Sequence, residues 1–357
     1  MSQRIYLDHA ATTPMTARAR EAVAEGMARW ANPSSPHAEG RAARAALEDA
    51  RGRIAAAYGW QGEALLTGGA SESLAIALGR ASPARRLVLS IEHDSVIRNA
   101  PGAAMLPVDG QGTVDLAALE EALIGEPALV AAQWANSETG VRQPIAAVAE
   151  RVHAAGGLLL VDAAQMPAGT DKDVAAHADF VVLSAHKRGG PPGIGALLVR
   201  DLATLSPTGG QERGYRPGTE NLPAALGYAA ALDEPEDISA LEAFRATLDD
   251  AVRRSGGEIV AGDAPRHPAI GSYRMPGVAA TTQLIRFDMA GFAVSAGSAC
   301  ASGSLKPSHV LAAMGWRDPA AREVVRVSFG RTTTADEVAA FIAAWRTIAR
   351  ETRSFAA

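Results

Sequence analysis

Several residue types are scarce in this chain of 357 residues, and each scarcity excludes a class of protein. Cys300 is the one cysteine, so an internal disulfide is impossible and a reducing compartment is indicated. Aromatic residues make up 5% of the chain, the net charge is -5 and no basic stripe occurs, which argues against a nucleic-acid-binding protein. Eight scattered histidines form no metal-ligand pattern with that cysteine. We therefore expect a protein without a metal centre.

Long hydrophobic runs are also lacking. No apolar segment reaches the roughly 20 residues that cross a bilayer, and the first eight residues do not resemble a signal peptide. We therefore expect a cytoplasmic protein that does not bind a membrane.

The chain is long enough for two packed units with a large core. Short apolar runs alternate with helical patterns, which predicts an α/β fold with a mainly parallel sheet covered on both faces. These predicted strands lie at residues 64–67, 86–91, 129–134, 158–161, 180–183 and 196–199. The acidic, proline-containing stretch 233–237 is typical of a domain boundary. We expect a large domain over 13–235 and a smaller α+β domain from 1–12 and 236–357.

The segment from residue 180 to 195 organises the rest of the sequence. An apolar run predicted to be a buried strand stops at Ser184, and His186 and Lys187 follow at once, before a turn rich in glycine and proline. A lysine held at this point is partly desolvated, which lowers the pKa of its amine towards neutrality, as a Schiff-base lysine requires. A lysine on a surface loop is the alternative.

Polar side chains follow several of the predicted strands at the point where each strand ends. In open α/β sheets ligands bind at the carboxyl ends of strands, so we expect these side chains to converge. They are Ser71, His93, Asn136, Asp162, Gln165, Ser184, His186 and Lys187.

Three of these positions suggest particular ligand groups. The segment 68–73 breaks a strand with two glycines and opens a helix, which suits a phosphate, although ordinary helix capping is the alternative. Asp162, at the end of a buried strand, suits a pyridinium nitrogen, or else a salt bridge or turn cap. His93 suits stacking on a flat ring, or else a structural role.

Cys300 lies among small residues, from Gly297 to Gly303, that bury little apolar surface. Such a segment predicts a mobile loop, where a thiol is placed for nucleophilic work rather than buried as an inert core residue.

Ten short motifs are distributed along nearly the whole chain. In order they are YLDHAATTP (6–14), NPSS (32–35), TGGASES (67–73), ETG (138–140), VDAAQ (161–165), SAHK (184–187), GGQERG (209–214), RPGTEN (216–221), SAGSAC (295–300) and RVSFGR (326–331). Together they resemble the motifs of the cysteine desulfurases, pyridoxal-phosphate (PLP) enzymes of the class V aminotransferase group. The small-residue cysteine segment is similar to the branch that feeds iron–sulfur cluster assembly.

The resemblance implies a PLP-dependent transferase fold of type I, with a seven-stranded sheet in the large domain. It implies conversion of L-cysteine to L-alanine, a persulfide on Cys300, a sulfur-acceptor protein and a homodimer with sites at the interface. It also implies roles for individual residues. Lys187 would bind PLP covalently and act with Cys300 and His93 in catalysis; the other cofactor contacts would be Ala70, Ser71, His93, Ser137, Asp162, Gln165, Ser184, His186 and, from the other subunit, Thr219; and the substrate contacts would be Asn32, Asn136 and Arg331.

Two positions depart from the family pattern. Ser137 stands where relatives usually have a second asparagine, and Gly68 replaces a common serine. Two other functions therefore stay open: another PLP enzyme of the same fold, such as a selenocysteine lyase or an aminotransferase, and a non-catalytic PLP-binding accessory protein of cluster assembly.

Overall fold

The computed structural model describes residues 4–29, 31–296 and 308–354. Its helices are α1 (Ala17–Ala28), α2 (Ala38–Ala57), α3 (Ala70–Arg80), α4 (Asp94–Asn99), α5 (Leu116–Ala122), α6 (Ile145–Ala154), α7 (Lys172–His177), α8 (Leu222–Leu232), α9 (Ile238–Arg254), α10 (Ala280–Met289), α11 (His309–Ala313) and α12 (Ala335–Ser354). Its strands are β1 (Ile5–Tyr6), β2 (Glu63–Thr67), β3 (Arg85–Leu89), β4 (Ala104–Leu106), β5 (Ala128–Gln133), β6 (Leu158–Asp162), β7 (Phe180–Ser184), β8 (Gly195–Val199), β9 (Glu258–Ile259), β10 (Ile270–Arg274), β11 (Phe292–Ala293) and β12 (Val324–Ser328).

The main sheet confirms the predicted α/β fold with a seven-stranded, mainly parallel sheet. Its strand order is β2-β8-β7-β6-β5-β3-β4, and only β8 runs antiparallel to its neighbours. Because β8 is antiparallel to both β2 and β7, those two strands point the same way as the rest. Six strands therefore end at one edge of the sheet, which is where ligands bind in this architecture.

Both faces of this sheet are buried, which explains why its strands read as continuous apolar runs. Side chains alternate between the faces: Leu87 and Leu89 pack with α2, α6 and α8, whereas Val88 packs with α3 and α4 on the other side. The helices start where the sequence provides caps, as at Thr16, whose side chain accepts a hydrogen bond from Ala19 N.

A second core lies among the later elements. β9, β10 and β12 form an antiparallel sheet, and β1 pairs in parallel with β11. Its largest buried side chains include Tyr273, Phe287, Phe341 and Trp345. The strands of this unit come from residues before 12 and after 236. The exact domain boundaries at 12/13 and 235/236 stay a prediction. Among the described residues, no helix is both long and apolar enough to cross a bilayer.

Candidate active site

A cavity of about 560 Å³ opens at the carboxyl edge of the main sheet. It is lined by the ends of β5, β6 and β7, by the residues that follow β3, by the start of α3 and by Arg326 of β12. The predicted site residues that line it are Ala70, Ser71, His93, Asn136, Ser137, Asp162, Gln165, Ser184, His186 and Lys187. The sheet topology thus brings ten of these positions together, although they are spread over more than a hundred residues of sequence.

The start of α3 forms one wall of the cavity. Gly69 is the N-terminal cap of this helix and carries no side chain to bond the free backbone N–H groups of the first turn. Its φ of 138° is a conformation that favours glycine. Free N–H groups at the positive end of a helix dipole attract an anion such as a phosphate.

A chain of polar contacts links Ser71 to His93. Ser71 Oγ lies 3.1 Å from Ser95 Oγ, which lies 3.1 Å from His93 Nδ1. The backbone N–H of Ser95 also donates to His93 Nδ1 over 3.1 Å, so that nitrogen is an acceptor and the proton of the neutral ring lies on Nε2.

Burial and then the charge of Lys187 lower the pKa of His93 below its usual value, whereas Asp162 raises it. A neutral imidazole with a fixed tautomer is therefore expected at this position at neutral pH. Lys187 and Asp162, which line the same cavity as His93, therefore lie close enough to the ring to shift its pKa.

Asp162 and Lys187 occupy the ends of adjacent strands. Asp162 ends β6, and its Oδ1 accepts a hydrogen bond from Ala164 N over 3.0 Å. Lys187 follows β7 in a single turn of 3-10 helix formed by residues 185–187. Burial and the charge of Lys187 lower the pKa of His186, whose Nδ1 lies 3.1 Å from Thr12 Oγ1.

Two amide side chains in the cavity wall form hydrogen bonds within the protein. Asn136 Nδ2 donates to Ile91 O over 2.9 Å, and Asn136 Oδ1 accepts from Glu138 N and Thr139 N. Gln165 Nε2 donates to Ala10 O over 2.9 Å, whereas its Oε1 has no hydrogen-bond partner within the described part of the chain. Asn136 therefore shapes the loop after β5, and Gln165 keeps one atom for a ligand.

Three predicted positions do not line the cavity of this chain. Asn32 and Thr219 are exposed, and Asn32 Oδ1 accepts from Ser34 N. Arg331 is held elsewhere: its guanidinium donates to the carbonyls of Arg188 and Glu234 and lies 3.4 Å from Glu236 Oε1. Arg331 thus lies outside the cavity of this chain, and its role as a substrate contact stays a prediction. Cys300 lies outside the described residues.

Arg326, which the sequence reasoning missed, does line the cavity. Its Nη1 donates to Ser137 O over 2.8 Å and its Nη2 to Asp8 Oδ1 over 2.7 Å, while Nε has no partner among the described residues. It belongs to the same motif as Arg331, but only its place in the middle of β12 reveals which way it points.

Glu92 was also missed, although it follows β3 directly before His93. It is fully buried, with Oε1 accepting from Gln133 N over 2.7 Å and Oε2 without a partner in the described structure. Burial and the nearby Asp162 raise the pKa of Glu92 well above its usual value. Glu92 is therefore expected to be a neutral acid at neutral pH.

The chain resembles known proteins over nearly its full length. The family model described as aminotransferase class-V matches residues 5–341. A cysteine desulfurase of Archaeoglobus fulgidus is 36% identical, over 93% of this chain and 94% of the relative.

Solved structures give the same picture. The NifS-like protein of Rickettsia africae superposes with a TM-score of 0.89 at 30% identity, over 97% of this chain and 99% of that one. A structure described as SspA in complex with cysteine has a TM-score of 0.79 at 29% identity, over 92% of this chain and all of that one (100%). The fold, the convergence of ten predicted side chains in one cavity and these similarities agree: the chain belongs to the class V aminotransferase family and, within it, to the cysteine desulfurases.

Proposed function

We propose that this protein takes sulfur from L-cysteine, releasing L-alanine, with PLP bound at Lys187 and Cys300 as the sulfur-accepting nucleophile. The observation that carries the proposal is the meeting of Lys187, Asp162, His93 and the uncapped start of α3 around one cavity. The family implies PLP, and one structural relative is described as a complex with cysteine.

The residues of the cavity fit PLP on structural grounds. The free N–H groups at the start of α3, with Ser71, Ser184 and His186 in the same cavity, would hold the phosphate. Asp162 would pair with the pyridine nitrogen, His93 would stack on the ring, and Gln165 would contact the ring oxygen. Lys187 would bind the aldehyde carbon.

The bound cofactor supplies an electron sink for negative charge at the substrate α-carbon. The amino group of L-cysteine would displace Lys187 from the cofactor, and the released amine of Lys187 would then remove the proton from that carbon, a step that needs an unprotonated amine in a partly desolvated place. Asp162 keeps the ring nitrogen protonated, and the buried neutral Glu92 adds no second charge there.

Arg326 is the cavity arginine that we propose for the substrate carboxylate. Its Nη1 donates to Ser137 O and its Nη2 to Asp8 Oδ1, which fixes the guanidinium at the cavity wall, where its positive charge attracts a carboxylate. Asn32 would contact the substrate, and Thr219 the cofactor, only if the 32–35 loop or a second subunit completes the cavity. We therefore also propose a homodimer.

Sulfur transfer is proposed for Cys300. Its thiolate attacks the sulfur of the bound substrate, the bond between that sulfur and the β-carbon breaks, and a sulfur–sulfur bond forms. The carbon fragment takes up protons and leaves as alanine, so the transfer needs no external oxidant or reductant. An acceptor protein would then take the sulfur, in cluster assembly or another pathway.

The test is to mix the purified protein with L-cysteine and measure alanine and protein-bound persulfide. We expect both products from the wild type, neither from Lys187→Ala, and loss of persulfide from Cys300→Ala with retained cofactor absorbance. Formation of alanine from selenocysteine but not cysteine, or amino transfer to a keto acid, would contradict the proposal. No turnover of any of these substrates would favour a non-catalytic accessory role.

A further inference from the structure

The segment from Thr208 to Arg216, here called the brace, lies along α3. At the far end of α3, Arg80 Nη1 donates to Thr208 Oγ1 over 3.0 Å and to Tyr215 O over 2.9 Å. At the near end, Arg216 Nε contacts both carboxylate oxygens of Glu72, at 3.0 and 3.1 Å. The brace therefore contacts both ends of α3, the helix whose first turn forms a wall of the cavity.

Glu212 ties the same segment to the neighbouring strand. Its buried carboxylate forms a two-point ion pair with Arg51 and accepts a hydrogen bond from Leu66 N, on β2, over 2.9 Å. Glu212 and Arg213 have φ values of 48° and 56°, which side chains other than glycine rarely adopt. The contacts of Glu212 with Arg51 and Leu66 hold the backbone of the brace in this conformation. They therefore also fix the position of Arg216.

Glu72 places a negative charge where the phosphate is expected. It is in the first turn of α3, lines the cavity, and its Oε2 accepts the backbone N–H of Gly68. A side chain on Gly68 would bring its Cβ to 3.0 Å from that oxygen, so the glycine permits the close approach. A carboxylate this near would repel a phosphate dianion unless a cation neutralises it.

We propose that Arg216 is a positioning residue for the cofactor phosphate, acting through Glu72. It neutralises the Glu72 carboxylate, so that Glu72 can hold the Gly68 backbone in shape without repelling the phosphate at the start of α3. This inference rests on the proposed function, since it concerns the PLP that the cavity is proposed to bind. The ion pair is partly exposed, with side-chain exposures of 21% for Arg216 and 35% for Glu72, so it contributes little to global stability.

The experiment measures the dissociation constant of PLP for the apo full-length protein by titration of cofactor absorbance and fluorescence. The variants are Arg216→Ala, Glu72→Gln and the double variant. Arg213→Ala is the matched control, because Arg213 belongs to the same segment but pairs with Glu63 at the surface. Thermal unfolding of each apo variant establishes that it is folded.

We expect Arg216→Ala to weaken PLP binding about tenfold or more, because the Glu72 charge is then unscreened. Glu72→Gln keeps an oxygen for Gly68 and removes the charge, so it should bind PLP at least as tightly as the wild type. The double variant should return to within about threefold of the wild type, and Arg213→Ala should match it.

Either of two results would overturn the inference: wild-type affinity in Arg216→Ala, or a double variant as weak as the single one, which would mean a merely structural role. Failure of the proposed function has a different signature, because then the wild-type protein itself would not bind PLP at Lys187.

Discussion

At the residue scale, the two arginines of the motif 326–331 occupy different places in the structure. Arg326 is in the middle of β12, where its backbone pairs with Ser272 and forms a bridge to Ser295, and its side chain reaches the cavity. Arg331 follows the end of the strand and donates to main-chain carbonyls. The motif alone does not distinguish them, because the two arginines lie close together in the sequence. Only the packing of the second core sets the direction of each side chain.

Replacing Arg326 by Lys should raise the KM for L-cysteine about tenfold or more with a smaller change in kcat. Lysine keeps the charge but has a single amine, which cannot keep the contacts with Ser137 O and Asp8 and also meet the substrate carboxylate as a guanidinium can. Steady-state kinetics of alanine formation measures this. Arg322→Lys is the control, since Arg322 forms an exposed pair with Asp318. An unchanged KM in Arg326→Lys would remove Arg326 from substrate binding.

A buried histidine also makes a prediction about pH. His267 is 2% exposed, its Nε2 lies 2.8 Å from Gln165 O, and its Nδ1 accepts from Ala269 N. Burial, with a contribution from Arg188, lowers the pKa of His267 to about 3. Because the unfolded chain binds this proton at the usual pKa of about 6.5, stability falls as the pH drops from that value towards 3, by up to ~1.4 kcal/mol per pH unit.

His267→Gln should therefore flatten the loss of unfolding free energy between pH 7 and pH 5. His9, whose pKa burial lowers to about 4, adds a loss of the same sign and remains in the variant. Urea unfolding at the two pH values gives the slope for each protein. Equal slopes for the variant and the wild type would show that His267 does not titrate as described.

At the element scale, the cavity depends on how closely β8 approaches the start of α3. Gly195 begins β8 and pairs with Ser184 of β7 and Thr67 of β2. A Cβ at Gly195 would lie 2.4 Å from Leu183 O and 2.8 Å from Gly69 Cα, both of them backbone atoms. The absence of a side chain at one strand residue thus permits the geometry of the proposed phosphate site.

Gly195→Ala should destabilise the protein by about 1–3 kcal/mol and weaken PLP binding, because strand or helix must shift. The control is Gly79→Ala, within α3, where a Cβ would meet no atom within 4 Å. Alanine is the better helix former there by roughly 0.5–1 kcal/mol, so this variant should be as stable as the wild type or more. Urea unfolding and PLP titration check both variants, and a stable Gly195→Ala protein with normal PLP affinity would refute the steric argument.

At the scale of the whole molecule, a buried ionic cluster joins the main-sheet unit to the chain that leads into α9. Glu236 lies 3.0 Å from Arg188, which follows Lys187, and 3.4 Å from Arg331, which follows β12. Three distant parts of the chain meet there, directly behind the cavity. Arg331 thus contributes to holding these parts of the chain together.

Glu236→Ala should lower the unfolding free energy by about 3 kcal/mol, because it leaves the buried guanidinium of Arg188 and the half-buried one of Arg331 without their carboxylate. Asp250→Ala is the matched control: it breaks the exposed Asp250–Arg254 pair and should change stability by less than about 1 kcal/mol. Chemical denaturation of both variants is the measurement. Equal midpoints for the two would contradict a central role of this cluster.

The sequence by itself determined the α/β fold, the strand ends that carry polar side chains, and eight residues of the cavity. These features follow from local patterns, since a buried parallel strand must be apolar and its carboxyl end must meet those of its neighbours. Family motifs added the cysteine desulfurase relationship, which the comparisons confirm.

Only the tertiary structure shows that Arg326 lines the cavity and Arg331 does not, that Glu92 is buried, and that Arg216 lies against Glu72. Each of these depends on contacts between residues distant in the sequence, such as Arg216 and Glu72, which are 144 positions apart. Local sequence preferences fix which residues can form an element, whereas the direction and partner of a charged side chain are set by what packs against it. The physical reason is that a buried charge needs a partner, and the partner is chosen by the fold.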